Sequence, residues 1–401
     1  MPGTFEYNGL FSARSQDNPI RVAKHAKYDF AVAYPAPETL PLDGLSEALR
    51  VAIDTKGDEM AREMAYYPHA LGSVELREFV SEKLATDRGF HVAPDEIMLT
   101  AGSGEAIALL IQALTNPGDT VITEEFVYAG TLNQMYRFEA DVVGAPLDDQ
   151  GIVPEALEDL IKKLTAEGRR PKYLYTIAEH QNPTGSTLPD SRRRQILEIA
   201  HRHNMPIMED ECYVDLRFEG KPETAFRAMD DSGIVLHVAS FSKLLAPGLR
   251  LGYFTATDEV MRRASSFKHG SGPNQFASYA INGFLRNNLQ SHRDAFNPLL
   301  KKKRDAMDAA LKEHFAGMGA TWSRPSGGCY TWLTMPEGVD LAAVQPAIMD
   351  EGVGYIPGPN FAPNGNGQNS ARLCFAFESP EKNTEGIALL AQLLEKHSAL
   401  V

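Results

Sequence analysis

Short apolar runs alternate with longer periodic stretches through the middle of this 401-residue chain, between about residues 96 and 257. Short runs bounded by polar or turn-forming residues predict buried strands, whereas a longer periodic stretch such as 105–114 predicts a helix. The predicted strands include 97–100, 173–177, 205–210 and 234–238. Strands that alternate with helices predict an α/β fold, in which helices cover both faces of a mostly parallel sheet.

Turn-rich segments separate this block from its flanks. Residues 35–41 are rich in proline, and residues 270–273 have the sequence Gly-Ser-Gly-Pro. Beyond them, the charged stretch 297–315 predicts a long helix, and the alternating segments 327–333 and 371–375 predict strands. We therefore expect a smaller α+β domain beside the α/β block.

Candidate chemistry begins where the predicted strand 234–238 ends, at Ser240, Ser242 and Lys243. Lys243 can form a Schiff base with an aldehyde, while the serines and Arg250 can hold an anionic group beside it. This combination suggests pyridoxal phosphate (PLP), which needs an imine-forming lysine, a phosphate cradle and a carboxylate on its ring nitrogen. Alone the segment is ambiguous, because most lysines that follow a strand are solvated surface residues.

Two further strand ends carry matching chemistry. Asp210 ends the predicted strand 205–210 and can pair with a protonated pyridine nitrogen, and Tyr213 can donate to the phenolic oxygen of the cofactor. Asn182 lies in the turn 181–185, from which it can contact a ring substituent. The structural alternative is that Asp210 caps the next helix, as strand-end aspartates do in many α/β proteins.

The predicted strand 97–100, the loop 101–104 and the helix 105–114 form a strand, glycine loop and helix in succession. Such a turn offers an anion free backbone N–H groups and the positive end of a helix, here with the Ser103 hydroxyl and the Gly104 amide. Many βα turns share this form, so the turn alone is weak evidence for an anion site. It gains weight from its position in the chain before the other motifs.

Together these segments resemble fold-type I PLP enzymes of the class I/II aminotransferase group, and most of all the branch of 2-aminoadipate and kynurenine aminotransferases. The resemblance spans about residues 30–394, and its motifs are 182–185, Asp210 with Tyr213, 240–250, Pro357 with Gly358, Phe361 and 369–373. It implies a large PLP-binding domain with a mostly parallel, seven-stranded-type sheet, and a small α+β domain built from N- and C-terminal segments. We assign residues 1–50 to the N-terminal arm and part of the small domain, 51–290 to the large domain and 291–401 to the small domain.

The resemblance also implies a role for each matching residue. Lys243, Asp210 and Tyr128 would be catalytic, as imine-forming base, partner of the pyridine nitrogen and ring-stacking aromatic. Arg372 would clamp the substrate carboxylate, with Asn182, Ala33 and Tyr34 beside it. The implied cofactor-binding set is Tyr67, Ser103, Gly104, Tyr128, Asn182, Asp210, Tyr213, Ser240, Ser242, Lys243 and Arg250. Tyr67 resembles a tyrosine that reaches the phosphate of the partner subunit, which implies a homodimer with shared active sites.

Some positions depart from the family pattern. Residues 30–34 (Phe-Ala-Val-Ala-Tyr) stand where relatives usually have a glycine pair, so we expect a narrower pocket or a shifted loop. Glu105 stands where relatives often carry glutamine. Glu179, if it faces the pocket, favours a cationic or hydroxylated substrate side chain over a dicarboxylate. The alternative is that Glu179 faces solvent.

Composition limits the partners and the cellular compartment that we expect for this protein. A formal net charge of −14 argues against a general nucleic-acid binder. Three scattered cysteines fit no metal site and suit a reducing compartment. No apolar stretch approaches the roughly 18 residues of a membrane helix, and residues 1–9 lack the features of a signal peptide. We expect a cytoplasmic protein without a metal, a membrane partner or a nucleic-acid partner.

Three hypotheses follow. The leading one is a PLP-dependent aminotransferase that transfers the amino group of an L-α-amino acid to a 2-oxo acid such as 2-oxoglutarate. The second keeps the site but changes the outcome to decarboxylation or oxidation, as the departures from the family pattern allow. The third is a non-catalytic PLP-binding effector domain, which the lack of a basic helix-turn-helix segment ahead of Tyr66 disfavours.

Overall fold

The structure is a computed structural model that describes residues 6–7, 9–12 and 24–397. The prediction about a signal peptide in residues 1–9 therefore falls largely outside the described residues. The strands are β1 Tyr28–Asp29, β2 Ile97–Thr100, β3 Thr120–Glu124, β4 Asp141–Ala145, β5 Leu147–Asp148, β6 Gly151–Ile152, β7 Leu174–Thr176, β8 Ile207–Asp210, β9 Val235–Ser240, β10 Gly252–Thr255, β11 Thr321–Trp322, β12 Tyr330–Thr334, β13 Val353–Gly354, β14 Ile356–Pro357 and β15 Ser370–Cys374.

The helices are α1 Leu42–Met64, α2 Val74–Lys83, α3 Ser103–Leu114, α4 Ala129–Arg137, α5 Pro154–Ala166, α6 Asp190–His203, α7 Phe226–Met229, α8 Asp258–Ser265, α9 Gln275–Phe315, α10 Leu341–Asp350 and α11 Pro380–Lys396. Shorter 3-10 helices span Pro37–Thr39, Pro94–Glu96, Val214–Leu216, Pro247–Leu249, Ala316–Met318 and Gly358–Phe361, and a π-helical turn spans Leu84–Arg88. Among the helices of the described residues, none is both long and apolar enough to cross a membrane.

A seven-stranded sheet in the order β2-β10-β9-β8-β7-β3-β4 forms the centre of the large α/β part. β10 is antiparallel to both of its neighbours, and the other six strands run in one direction. Most of these strands are buried along their whole length, which explains why the sequence has continuous apolar runs there. The predicted α/β fold with a mostly parallel sheet is confirmed.

A second, antiparallel sheet in the order β11-β12-β15-β14 forms the smaller α+β part. β1, near the N-terminus, pairs in parallel with β13, so the N-terminal segment joins the C-terminal part of the chain. The prediction that N- and C-terminal segments build the small part is therefore confirmed.

The long helix α9 differs from the prediction at its start. It begins at Gln275 instead of residue 297 and continues through Pro298 to Phe315. The buried side chains of Ile281 and Phe284 anchor the additional N-terminal turns in a core cluster. The predicted boundary at residues 290 and 291 falls inside this helix, and the domain assignment stays a prediction.

Candidate active site

The carboxyl ends of the parallel strands β7, β8 and β9 meet at one edge of the large sheet. β8 ends at Asp210 and β9 at Ser240, while the turn that holds Asn182 follows β7. Open α/β sheets bind ligands at this edge, because the loops diverge there and leave a crevice. The sheet thus brings together groups that lie far apart in the sequence.

Lys243 lies in the turn after β9, where it is partly buried. Its Nζ donates a hydrogen bond of 2.6 Å to the carbonyl of Ala33 and lies 5.7 Å from the centre of the Tyr34 ring. Burial lowers the pKa of Lys243, and the nearby Arg372 guanidinium lowers it further, while Cys329 and Cys212 act in the opposite direction. A lower pKa leaves more of the amine in its neutral, nucleophilic form.

Asp210 is a buried carboxylate with neutral partners. The Tyr175 hydroxyl donates to its Oδ2 at 2.7 Å, and the Cys212 amide donates to its Oδ1 at 3.2 Å. Burial raises the pKa of Asp210 despite these hydrogen bonds. Within the described residues, no cationic side chain forms an ion pair with this carboxylate. A cation brought by a ligand would therefore be strongly attracted to it.

Asn182 is fully buried and connects the two parts of the molecule. Its Nδ2 donates to the Tyr213 hydroxyl at 3.1 Å, and its Oδ1 accepts from Arg372 Nη1 at 3.1 Å. The Tyr213 hydroxyl is in turn 3.2 Å from the Tyr330 hydroxyl. This chain of hydrogen bonds joins the large sheet to β12 and β15.

Arg372 extends from β15, with its guanidinium over the rings of Tyr330 and Phe361 at 4.4 and 5.2 Å. Its Nη2 donates to the carbonyl of Ala31 at 2.8 Å, whereas its Nε is buried without a partner in the described residues. The backbone of residues 30–34 thus reaches both Arg372 and, through Ala33, Lys243. The segment that lacks the glycine pair still approaches the site.

The loop before α3 lies against Arg250. The Nη2 of Arg250 donates to the carbonyl of Ala101 at 2.7 Å, and a Cβ at Gly102 (φ +85°) would lie 2.7 Å from that Nη2 atom. Across the loop, the Ser240 hydroxyl donates to the Ser242 hydroxyl at 3.0 Å. These contacts gather a guanidinium, hydroxyls and a helix N-terminus around one spot, which suits an anion such as phosphate.

The first turn of α3 holds the other predicted cradle groups. The Ser103 hydroxyl accepts from Cys212 Sγ at 3.2 Å, which links the cradle to the neighbour of Asp210. The Gly104 carbonyl accepts from Gln134 Nε2 at 3.2 Å. The Glu105 carboxylate accepts from the Ala101 amide at 2.6 Å and so closes the loop before α3. As a negative charge in the first turn of α3, it also interacts favourably with the positive end of the helix dipole.

The two remaining tyrosines differ. Tyr128 immediately precedes α4; burial raises its pKa, and the nearby Cys212 and Asp210 add to the rise, so it lies close to the site. Tyr67 is 89% exposed. Within the described chain Tyr67 contacts none of the groups above, and its predicted role concerns the partner subunit instead.

The structure contradicts both predictions for Glu179, that it faces the pocket or that it faces solvent. It neither faces solvent nor points toward a substrate: it is 1% exposed and forms ion pairs with Arg88 at 3.1 Å, with Arg193 at 3.5 Å and with Arg217. These arginines come from three distant segments and neutralise the carboxylate inside the fold. The expected preference for a cationic substrate therefore loses its basis.

Three side chains at the site escaped the sequence analysis: Tyr175, Cys212 and Tyr330. Tyr175 and Tyr330 lie within predicted strands, where an aromatic side chain is ordinarily part of a core. Cys212 lies between Asp210 and Tyr213, and its spacing alone indicates no contact. Tyr175 belongs to the predicted strand 173–177 that leads into the turn of Asn182, which is a signal in the sequence, but only the folded sheet brings its hydroxyl to Asp210.

The chain matches the family model "Aminotransferase class I and II" over residues 39–390. The chain belongs to the class I and II aminotransferases. It is 32% identical to aromatic-amino-acid aminotransferase 1 of Thermococcus litoralis over 369 residues, which is 90% of this chain and 86% of the relative. The predicted likeness to the branch of 2-aminoadipate and kynurenine aminotransferases is also confirmed.

Solved structures agree with this assignment. The multiple substrate aminotransferase of Thermococcus profundus superimposes with a TM-score of 0.91 at 27% identity, covering 99% of this chain and 100% of that one. The α-aminoadipate aminotransferase LysN of Thermus thermophilus, complexed with N-(5'-phosphopyridoxyl)-L-leucine, has a TM-score of 0.85 at 27% identity and covers 93% of both chains. The predicted aminotransferase is therefore favoured over the decarboxylase, oxidase and effector-domain alternatives.

Proposed function

We propose that this aminotransferase transfers the amino group of an L-α-amino acid to a 2-oxo acid such as 2-oxoglutarate, with PLP held at Lys243. The observation that carries the proposal is the arrangement of three groups at one crevice. The buried amine of Lys243, the carboxylate of Asp210 and the guanidinium of Arg372 all lack ionic partners among the described residues and bond to neutral groups instead.

The residues fit this cofactor. Asp210, a buried carboxylate whose partners are a hydroxyl and an amide, suits a protonated ring nitrogen. The cradle of Ser103, Ser240, Ser242 and Arg250 beside a helix N-terminus suits a phosphate. The phosphopyridoxyl group bound by LysN, a relative of the same fold, further supports PLP.

Bound PLP would supply an aldehyde that takes up the amino group and a ring that accepts electrons from the substrate Cα. Lys243 would hold the cofactor and then take the proton from Cα with its low-pKa amine. Asp210 would keep the ring nitrogen protonated, while Asn182 and Tyr213 would contact the phenolic oxygen. Tyr128 would stack on the ring and exclude water from one face.

Arg372 would bind the substrate α-carboxylate through its fork of N–H donors, with Asn182 beside it. Tyr34, half exposed near Lys243, and Tyr128 would offer aromatic surface to the substrate side chain. Because Glu179 is neutralised by arginines inside the fold, it gives no reason to expect a cationic substrate. We propose an aromatic or other apolar amino acid as donor, in keeping with the name of the Thermococcus litoralis relative.

We further propose that the enzyme is a cytoplasmic homodimer with shared active sites. Large apolar side chains are exposed between the end of α1 and the start of α2, around Tyr67, and near the start of α9, namely Met64, Tyr66, Val74, Phe267 and Phe276. A second copy of the chain would cover these side chains. Tyr67 would then reach the phosphate held by the partner.

The test of the activity combines cofactor and product analysis. Purified protein should be yellow, and borohydride should fix the cofactor to Lys243, as peptide mapping would reveal. With an aromatic amino acid and 2-oxoglutarate, glutamate should form in step with the new oxo acid. Release of carbon dioxide or hydrogen peroxide in place of glutamate would favour the decarboxylase or the oxidase, and an adduct on another lysine would contradict the site.

The test of the dimer mixes two impaired variants, Lys243→Ala and Tyr67→Ala, under conditions that let subunits exchange. In a hybrid dimer, one site takes Lys243 from the Tyr67→Ala chain and Tyr67 from the Lys243→Ala chain, so this site is intact. Activity should therefore return on mixing. Sedimentation that reveals a fully active monomer at assay concentration would refute the shared site.

A further inference from the structure

Glu124, which ends β3, is a buried carboxylate without an ion pair in the described part of the chain. Its oxygens accept hydrogen bonds from Thr176 Oγ1 at 2.7 Å, from the Ile177 amide at 3.2 and 3.3 Å and from Gln181 Nε2 at 2.9 Å. Burial of an unpaired carboxylate is costly, so such a group persists only where its acceptor oxygens are needed. All of these donors belong to β7 and the loop that follows it.

Gln181 is the second member of this arrangement, and its amide is fully used. Its Nε2 donates to Glu124 and also to the carbonyl of Phe126 at 2.7 Å. Its Oε1 accepts from the amide and from the hydroxyl of Thr184, each at 2.7 Å. Gln181 therefore fastens its own turn, residues 181–185, to the loop that follows β3.

Both loops lead directly to groups at the site. The loop after β3 continues from Glu124 to Tyr128, and Gln181 immediately precedes Asn182. Asn182 Oδ1 accepts from Arg372 Nη1, which orients the guanidinium that reaches across from β15. A shift of the turn would therefore move Asn182 and release one arm of Arg372.

We propose that Glu124 and Gln181 form a buried positioning pair that sets the affinity of the enzyme for the substrate carboxylate. The pair acts through Asn182, which it holds against Arg372; neither of its members touches substrate. This inference deepens the proposed function, since it rests on Arg372 as the carboxylate-binding group. It adds a specific requirement, namely a carboxylate at position 124 and an amide at position 181.

The requirement follows from donors and acceptors. An ionised carboxylate at position 124 accepts on both oxygens, whereas a glutamine would present an NH2 group to one of the donors. Whichever way the new amide is turned, its NH2 group faces a donor, Gln181 Nε2 on one side or the Ile177 amide on the other, so a hydrogen bond that holds the turn against position 124 is lost. The isosteric variant Glu124→Gln thus breaks the pair without leaving a cavity.

The test compares Glu124→Gln with Glu125→Gln, the neighbouring carboxylate. Glu125 is only half buried, and its side chain has no hydrogen-bond partner in the part of the chain that the structure covers. The probe is 3-phenylpropionate, an aromatic carboxylic acid without an amino group, titrated calorimetrically into each holoenzyme at about pH 8.5, where Glu124 is ionised. We expect its Kd to rise about tenfold in Glu124→Gln, the range for a lost hydrogen bond to a charged group, and to stay unchanged in Glu125→Gln.

Kinetics and stability provide two more readouts. In Glu124→Gln the KM for the amino acid should rise more than kcat falls, and the thermal midpoint should not decrease, because the variant no longer buries a charge. A merely structural role predicts the reverse: a lower midpoint with an unchanged Kd. Equal Kd values in Glu124→Gln and Glu125→Gln would overturn the proposal.

A second variant, Gln181→Ala, keeps the test decisive if Glu124→Gln folds poorly. We expect the same rise in Kd from Gln181→Ala, and no additional rise when both changes are combined, since residues that act as a pair are not additive. If the rises in Kd from the two changes were fully additive, the proposal that Glu124 and Gln181 act as a pair would be wrong. Failure of the proposed function is distinguishable, because wild-type enzyme would then bind no 3-phenylpropionate or make no glutamate at all.

Discussion

Asp210 and Glu211 are consecutive residues at the end of β8, yet their carboxylates are in opposite electrostatic situations. Asp210 accepts from a hydroxyl and an amide, and burial raises its pKa. Glu211 accepts from Arg88 Nε at 2.9 Å and lies 3.0 Å from His237 Nε2. Although burial alone would raise it, Arg88 and His237 hold the pKa of Glu211 well below its ordinary value.

The difference distinguishes charges that are paired within the fold from charges that have no ionic partner among the described residues. On the side of Glu211, the guanidinium of Arg88 also pairs with Glu179, which further pairs with Arg193, so charge is neutralised within the protein. On the side of Asp210, Lys243 and Arg372 bond to backbone carbonyls. A buried charge without an ionic partner destabilises the folded protein. A bound cofactor and substrate would supply the opposite charges and offset this desolvation cost.

The largest expected effect is a loss of kcat on substitution of Lys243. Lys268, a second lysine with similar surroundings, serves as the comparison. Lys268 also donates to backbone carbonyls, those of Ala70 and Leu99 at 2.7 Å, and burial also lowers its pKa. Lys243→Ala should lower kcat by about ten-thousandfold, because it removes both the covalent anchor and the proton-transferring base. Lys268→Ala should keep the borohydride-fixed cofactor, measured by absorbance and mass. Loss of the adduct in Lys268→Ala alone would reverse the assignment.

The second prediction compares substitutions of the two neighbouring acids, Asp210 and Glu211. Asp210→Asn should lower kcat by at least about a hundredfold, since an amide cannot keep the ring nitrogen protonated. Its unfolding free energy should stay equal or rise. Glu211→Gln should do the opposite, costing about 3 kcal/mol of stability because the buried Arg88 loses one of its two carboxylate partners, with kcat largely retained.

Urea unfolding and steady-state kinetics of both variants test this comparison. If Asp210→Asn kept its kcat and lost stability instead, Asp210 would be structural. If Glu211→Gln lost kcat at full stability, the contrast between the two sides of the strand would fail.

The third prediction uses Glu124, another carboxylate without an ionic partner in the described residues. Burial raises the pKa of Glu124 from 4.5 to about 7. The folded state then holds a proton that the unfolded state has released, so this group's contribution to stability falls as pH rises from about 4.5 through 7. Between pH 5 and pH 8, Glu124→Gln should gain about 2.5 kcal/mol of unfolding free energy relative to wild type. Parallel pH profiles would contradict the raised pKa.

The smallest expected effect separates two hydroxyls near Asp210. Tyr175→Phe removes the 2.7 Å hydrogen bond to Asp210 and should lower kcat about fivefold, a cost of roughly 1 kcal/mol. Tyr128→Phe keeps the ring, which is the part that would stack on the cofactor, and should change kcat by less than about twofold. Equal losses in both variants would mean that the Tyr128 hydroxyl also takes part.

The strands and the turns at their ends were predictable because local rules govern them. Period and length predicted β2, β7, β8 and β9, and the residue types after them identified Asp210, Asn182 and Lys243 as candidates. The glycine loop before α3 followed from the same reasoning. Hydrophobic periodicity and turn chemistry act over a few residues, so a single sequence carries this information in full.

Only the tertiary structure decided which partner each charge has. Arg372 meets Asn182 across 190 positions of sequence, and Glu179 is neutralised by Arg88, Arg193 and Arg217, which no spacing connects. Ion pairs and hydrogen bonds between distant segments depend on how sheets and helices pack, and packing is a property of the whole chain. The sequence by itself therefore determined which groups are candidates for chemistry, while the fold determined which of them are neutralised within the protein and which have no ionic partner among the described residues.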